Sequence, residues 1–245
     1  MCIACGDTGH RAFGWSRRGL LAGGAAALSA GLLPRRASAQ AAAPNAIGPE
    51  AALKRIMDGN ARYVANTAAN RDLSAGRAAR AQAQYPIAAI LSCADSRVAP
   101  ELAFDQGPGE LFVVRVAGNF VNDDGLASLE YGVQFLGVPL VMVLGHSNCG
   151  AVAATIKVVK ENLALPGKLP ELANALKPPV EAALQRQPAD PLAEATMENV
   201  RHNVQRLETT SPVLSGPVRD GKVRVVGGVY DIATGKVNLV PSMPG

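Results

Sequence analysis

The chain has 245 residues, enough for one sizeable domain, and 48% of them are apolar, so a large core can be buried and a mainly disordered chain is excluded. The formal charge of +4 suggests a basic binding surface only until the chain is divided: residues 1–39 carry Arg11, Arg17, Arg18, Arg35 and Arg36 against Asp7, and the remainder balances at 19 basic and 19 acidic residues. With aromatics at 4%, that neutrality leaves no electrostatic case for a nucleic-acid partner.

The N-terminus reads as an address. Ser16-Arg17-Arg18-Gly19-Leu20-Leu21 is a twin-arginine pattern, an apolar stretch runs from Gly19 to Leu33, and Ala37-Ser38-Ala39 is a small-residue cleavage site. The apolar stretch is shorter than the ~20 residues that span a bilayer. Residues 1–39 are therefore expected to be a signal peptide cut after Ala39, giving a periplasmic or otherwise exported protein with no stable membrane insertion. Cys2 and Cys5 form a C-x-x-C that leaves with this segment. Cys93 and Cys149 then remain, and a structural disulfide between them is one reading in an oxidising compartment.

Residues 40–48 read as a flexible leader, and 49–245 as one domain. Pro49 and Glu50 open a helix that carries Leu53, Ile56, Met57, Tyr63 and Val64 to about Asn66. Residues 67–84 read as loop with a helical turn. Pro86–Ser92 and Leu111–Val116 are short apolar runs that predict buried strands. Leu126–Leu136 has helical spacing, Val138–Leu144 predicts a third strand, and Ala151–Asn162 a helix after it. Leu169–Leu207 predicts two helices broken near Pro188 and Pro191. Lys222–Tyr230 predicts a strand, Asp231–Gly235 a turn, and Lys236–Val240 a short last strand. Uninterrupted apolar strands alternating with helices predict an α/β fold with a mainly parallel sheet flanked by helices.

Ligands in such sheets sit beyond the C-terminal strand ends. Cys93-Ala94-Asp95-Ser96-Arg97 follows the first predicted strand, and His146-Ser147-Asn148-Cys149 follows the third. Two thiolates and one imidazole form a zinc set that leaves a fourth position for water, the mark of a catalytic site. Cys149 falls at a predicted helix N-terminus, where the helix dipole favours a thiolate. His202 reads as part of a solvated helical face. Asn119, Asn122, Asp123 and Asp124 form a polar loop read as the cap of the helix at Gly125.

The two motifs, C-x-D-S-R and H-x-x-C, resemble those of the β-carbonic anhydrases. The resemblance runs from about Glu50 to Val240 and includes Phe112-Val113-Val114-Arg115, Ser128-Leu129-Glu130-Tyr131 and Val229–Gly235. It implies one Zn2+ per chain on Cys93, His146 and Cys149, and a catalytic Asp95–Arg97 dyad that orients a zinc-bound hydroxide toward carbon dioxide to give bicarbonate. Asp95 is also implied as a fourth zinc ligand in a closed state. Gln84, Phe112 and Tyr131 are implied to line the substrate cleft, in a homodimer or higher homo-oligomer whose cleft lies at a subunit boundary. Two rival readings stay open: a carbonyl sulfide or carbon disulfide hydrolase on the same scaffold, and a non-catalytic zinc-binding or thiol redox module.

Overall fold

The computed structural model describes residues 43, 45–69 and 71–241, so the expected signal peptide and its cleavage site lie outside the described residues. A five-stranded sheet forms the centre: β1 (Ala88–Ser92), β2 (Leu111–Arg115), β3 (Leu140–His146), β4 (Arg224–Tyr230) and β5 (Val237–Val240). Their spatial order is β2-β1-β3-β4-β5. The first four run parallel and β5 pairs antiparallel with β4. Every residue of β1 and of β3 is buried. Such strands need cover on both faces, which is why their sequences are continuous apolar runs.

The two-residue period of a strand sorts those runs onto opposite faces. Ala88, Ile90, Leu140, Met142 and Leu144 face one core with Ala52, Leu53 and Ile56 of α1 (Pro49–Val64) and with Phe104. Ala89, Leu91, Val141 and Val143 face the other. There they meet Leu129 and Val133 of α4 (Asp123–Leu136), Val200 and Leu207 of α7 (Pro191–Thr209) and Leu214 of α8 (Pro212–Arg219). A third cluster joins Cys93 and Cys149 to Val152 of α5 (Gly150–Glu161), to Val180 and Ala183 of α6 (Leu169–Gln185), and to Ala195 of α7.

Helix α7 lies hard against the sheet. A Cβ on Gly145 would stand 2.7 Å from Val200 Cγ2, and one on Gly227 2.5 Å from Val200 Cγ1. Only glycine lets a helix come that close to two neighbouring strands. The approach brings two buried asparagines over the loop after β2. Asn199 Nδ2 donates to Gly118 O at 2.8 Å, and Asn203 Oδ1 accepts from Val121 N at 2.8 Å.

Most expected elements are present, with local differences. Helix α4 starts three residues before Leu126, because Asn122 caps it by accepting from Gly125 N at 2.9 Å. Asp190 caps α7 in the same way through Leu192 N and Ala193 N, which ends the break expected near Pro188 and Pro191. The helical turn expected within 67–84 is α2 (Arg77–Arg80), and two further short helices, α3 (Pro100–Ala103) and α8, lie outside the expected elements; each of these two opens on a proline at its first turn. Within the expected flexible leader, Asn45 is buried and its amide donates to Pro86 O at 3.1 Å and Leu136 O at 2.7 Å, so the chain is fastened there. His202 is half-buried on α7, where it was expected on a solvated face. No described helix is long and apolar enough to cross a membrane.

Candidate metal centre

Strand β1 has β2 on one side and β3 on the other, so the chain reverses its direction of travel across the sheet between β1 and β3. A crevice opens at the C-terminal edge of such a switch point. Ser92 pairs with Leu144 there. Cys93 is the next residue after β1, and His146 closes β3. The chain then turns through Asn148, whose φ of 54° is left-handed, and reaches Cys149 at the N-cap of α5. The donor atoms of Cys93, His146 and Cys149 lie within 4.8 Å of one another, and all three residues are buried.

These residues fit a zinc ion. His146 Nδ1 lies 2.9 Å from Ser147 O. A carbonyl oxygen only accepts, so Nδ1 carries the proton and the neutral ring offers its lone pair at Nε2. Nε2 is buried and has no hydrogen-bond partner among the described residues, an arrangement that is costly unless a ligand engages it. Cys93 and Cys149 are free thiols. Two sulfurs and one imidazole nitrogen are a donor set for zinc.

The surroundings favour negative charge on sulfur. Cys93 titrates below an ordinary thiol, chiefly because the Cys149 thiol donates to it; His146 and the Gly118 N–H, 3.3 Å from Sγ, add to the effect against the cost of burial. The Cys93 thiolate in turn raises Cys149, with burial adding to the rise, while the Val152 and Ala151 N–H groups at the start of α5 oppose it. Burial disfavours a charged His146, but the nearby Cys93 sulfur, the Ser147 carbonyl and the Asp95 carboxylate together outweigh burial and raise it.

Beside the three donors stands a carboxylate held by a guanidinium. Arg97 Nε donates to Asp95 Oδ1 at 2.9 Å, Arg97 Nη2 to Oδ2 at 2.8 Å, and the Arg97 backbone N–H to Oδ1 at 2.9 Å. Asp95 Oδ2 is 3.8 Å from His146 Nε2. These bonds to Arg97 hold the Asp95 carboxyl well below the usual carboxylate range. Asp95 is thus engaged with Arg97 and turned toward the donor cluster.

The other expected cleft residues are not brought to this cluster within one chain. Gln84 is exposed and precedes β1, at the end of the sheet opposite Cys93. Phe112 pairs with Ala89 near the start of β2, and its ring centroid lies 6.3 Å from that of Tyr131 on α4. Tyr131 stacks in turn on Phe135 at 5.3 Å. In the polar loop read as a cap, Asn122 does the capping while Asn119 is buried, with φ 43° and neither side-chain polar atom partnered by a described residue.

Several groups at the site have roles that the sequence does not display. Arg115, at the end of β2, donates from Nε to Cys93 O at 3.1 Å and from Nη2 to Asp95 O at 2.8 Å, clamping the loop that carries both. A single arginine closing an apolar strand, level with Ser92 on the neighbouring strand, is the signal that points to it. Gly118 acts through its backbone N–H and Ser147 meets His146 through its backbone carbonyl, and neither group leaves a mark in side-chain chemistry.

Residues 88–237 match the family model described as carbonic anhydrase. The carbonic anhydrase of Mycolicibacterium smegmatis is 38% identical over 201 residues, covering 80% of this chain and 95% of that protein. Carbonic anhydrase 2 of Mycobacterium tuberculosis is 36% identical over 192 residues, covering 78% and 92%. Among solved structures, the Coccomyxa β-carbonic anhydrase in complex with acetazolamide matches with a TM-score of 0.62 at 29% identity, over 77% of this chain and 86% of that one. A tetrameric β-carbonic anhydrase of Sordaria macrospora shares the fold with a TM-score of 0.63 at 21% identity, over 77% and 96%. The family model spans more than half of the chain and the Mycolicibacterium relative is aligned over nearly all its length, so the chain belongs to the β-class carbonic anhydrase family.

Proposed function

We propose that this protein interconverts carbon dioxide and bicarbonate at a zinc ion held by Cys93 Sγ, His146 Nε2 and Cys149 Sγ. The observation that carries this reading is the convergence of those three buried donors beside the Asp95–Arg97 pair. When bound, zinc supplies a Lewis acid that makes water acidic enough to give a nucleophile near neutral pH.

The chain's own residues do the rest. Ionised Asp95 can only accept hydrogen bonds, so an oxygen nucleophile beside it would donate a hydrogen bond to the carboxylate, keep its proton, and turn a lone pair toward the substrate. Arg97 keeps Asp95 ionised and aimed by its two-point grip. Arg115 fixes the carbonyls of Cys93 and Asp95, and so sets the distance between a metal ligand and the carboxylate. The grip of Arg97 also draws Asp95 away from service as a fourth ligand; release of that grip is the closing step the dyad makes available.

The cleft is completed by a second copy of the chain. Gln84, Phe112 and Tyr131 cannot reach Cys93 from within one chain, so a homo-oligomer supplies them across its boundary. The support is a run of exposed apolar side chains at the β2 edge: Tyr131 is 47% exposed and Phe135 74%. The Sordaria neighbour, described as tetrameric, is in keeping with it. Export to the periplasm by the twin-arginine route rests on the Ser16–Leu21 pattern and the Ala37-Ser38-Ala39 site.

Four outcomes follow. Stopped-flow hydration of the purified mature chain is expected at about one zinc per chain, with Cys149→Ser losing both metal and activity. Turnover of carbonyl sulfide or carbon disulfide without carbon dioxide hydration would move the substrate, and full zinc with no turnover would leave a non-catalytic site. A second outcome concerns pH. A depressed carboxylate stabilises the folded chain above its unfolded pKa of about 3.9, and that contribution is lost as pH falls through the lower folded value. Arg97→Ala should raise the Asp95 carboxyl titration, followed by carbon-13 NMR, back toward that ordinary value; an unmoved midpoint would refute the assigned cause. For the oligomer, light scattering should show Phe135→Asp shifting the chain to a smaller species with reduced hydration rate. An unchanged mass and rate would place the boundary elsewhere. Intact-mass measurement of the exported protein should begin at Gln40, and replacing Arg17 and Arg18 with lysine should retain the precursor in the cytoplasm.

A further inference from the structure

The loop between His146 and Cys149 has no regular structure and contains a left-handed residue, yet it must deliver two donors to one point. What holds it is Ser147. Its backbone N–H donates to Tyr230 O at 2.9 Å. Its hydroxyl Oγ accepts from Ile232 N at 3.0 Å. Its carbonyl receives His146 Nδ1–H at 2.9 Å. The first two bonds tie residue 147 to the exit of β4, and the third passes its orientation to the imidazole ring.

The partner segment is itself rigid. Asp231 Oδ1 accepts from Ala233 N at 2.8 Å and Thr234 N at 2.9 Å, and Asp231 N donates to Lys236 O at 2.9 Å. Buried Asn60 of α1 then fastens the far side of this turn, donating to Gly235 O at 2.8 Å and accepting from Val237 N at 2.9 Å. The chain of contacts runs from α1 through the 231–235 turn to Ser147 and ends on a metal ligand.

We infer that Ser147 is a positioning residue for His146: its hydroxyl clamps the ligand loop to the 230–232 segment and so fixes the carbonyl that sets the ring's tautomer and direction. This rests on the reading of Cys93, His146 and Cys149 as the metal ligands. Ser147 is not one of the three donors and acts through His146. Its hydroxyl can be removed while the Ser147 N–H bond to Tyr230 stays, which isolates the clamp.

The test is zinc affinity, by competition with a chromophoric chelator, on the full mature chain stripped and reloaded, with the absorption spectrum of the cobalt-loaded protein and the metal-free Tm taken alongside. Ser147→Ala is expected to weaken zinc binding about 10- to 100-fold and to alter the cobalt bands. Ser147→Thr, which keeps the hydroxyl, restores affinity and spectrum, whereas its isostere Ser147→Val does not. This threonine–valine pair decides the matter alone should the alanine variant fail to fold. Equal affinity and spectra in Ser147→Ala and the parent would overturn the inference, as would threonine falling with valine, or a loss of affinity fully matched by loss of metal-free stability. A parent chain that takes up no zinc would instead overturn the reading of the metal site itself.

Discussion

The site depends on the parallel register between β1 and β3. Ser92 lies opposite Leu144, so the residues that follow leave the sheet side by side, about 4.8 Å apart in the hydrogen-bonding direction. Cys93 and His146 meet for that reason, although 53 positions separate them in the chain. A slip of one residue would turn every side chain of β3 to the other face. It would expose neither core to water, because both faces are covered, but it would break the pairing of small and large residues that fills them. The register is thus fixed by packing at Ala88, Ile90, Met142 and Leu144, and the donor geometry is a consequence of that packing.

Burying two sulfurs and an imidazole in an apolar cluster is costly unless their charges are met. The fold meets them with backbone groups first. Gly118 N–H reaches Cys93 Sγ, and the first turn of α5 offers its N–H groups to Cys149. Gly118 stands where it does because Asn199 and Asn203 hold its loop down from α7, and α7 can approach because Gly145 and Gly227 carry no Cβ. A helix remote in sequence therefore contributes to the electrostatics of Cys93 without a polar side chain hydrogen-bonded to it.

This division explains what the sequence disclosed. Cys93, Asp95, Arg97, His146 and Cys149 were legible because each motif is local and each follows an apolar run that identifies a strand end. The mainly parallel sheet was legible from the same runs. Ser147 was not, because its partner Ile232 is 85 residues away and the contact is to a backbone N–H that any residue could supply. Asn45 reads from sequence as part of a loose leader for the same reason: its acceptors are 41 and 91 residues distant. Helices α3 and α8 are four and eight residues long, too short for a periodic apolar pattern to stand out.

The charges at the crevice also bear on what it can hold. With a divalent ion bound, two thiolates would cancel its formal charge, and Asp95 offsets Arg97. Arg115 has no acidic partner among the described residues; it is exposed, while two of its nitrogens grip the Cys93 and Asp95 carbonyls. A neutral substrate entering such a crevice gains nothing from that charge, whereas an anionic product does. Arg115 would therefore deepen the bound state of bicarbonate relative to carbon dioxide, a uniform gain for binding the anion that does not lower the barrier from it. The exposure of the guanidinium limits this effect, since solvent screens a charge at the rim far more than one inside. The arginine's larger contribution is therefore geometric: it spans two carbonyls of the loop that carries Cys93 and Asp95, and so keeps a metal ligand and the dyad carboxylate at one spacing.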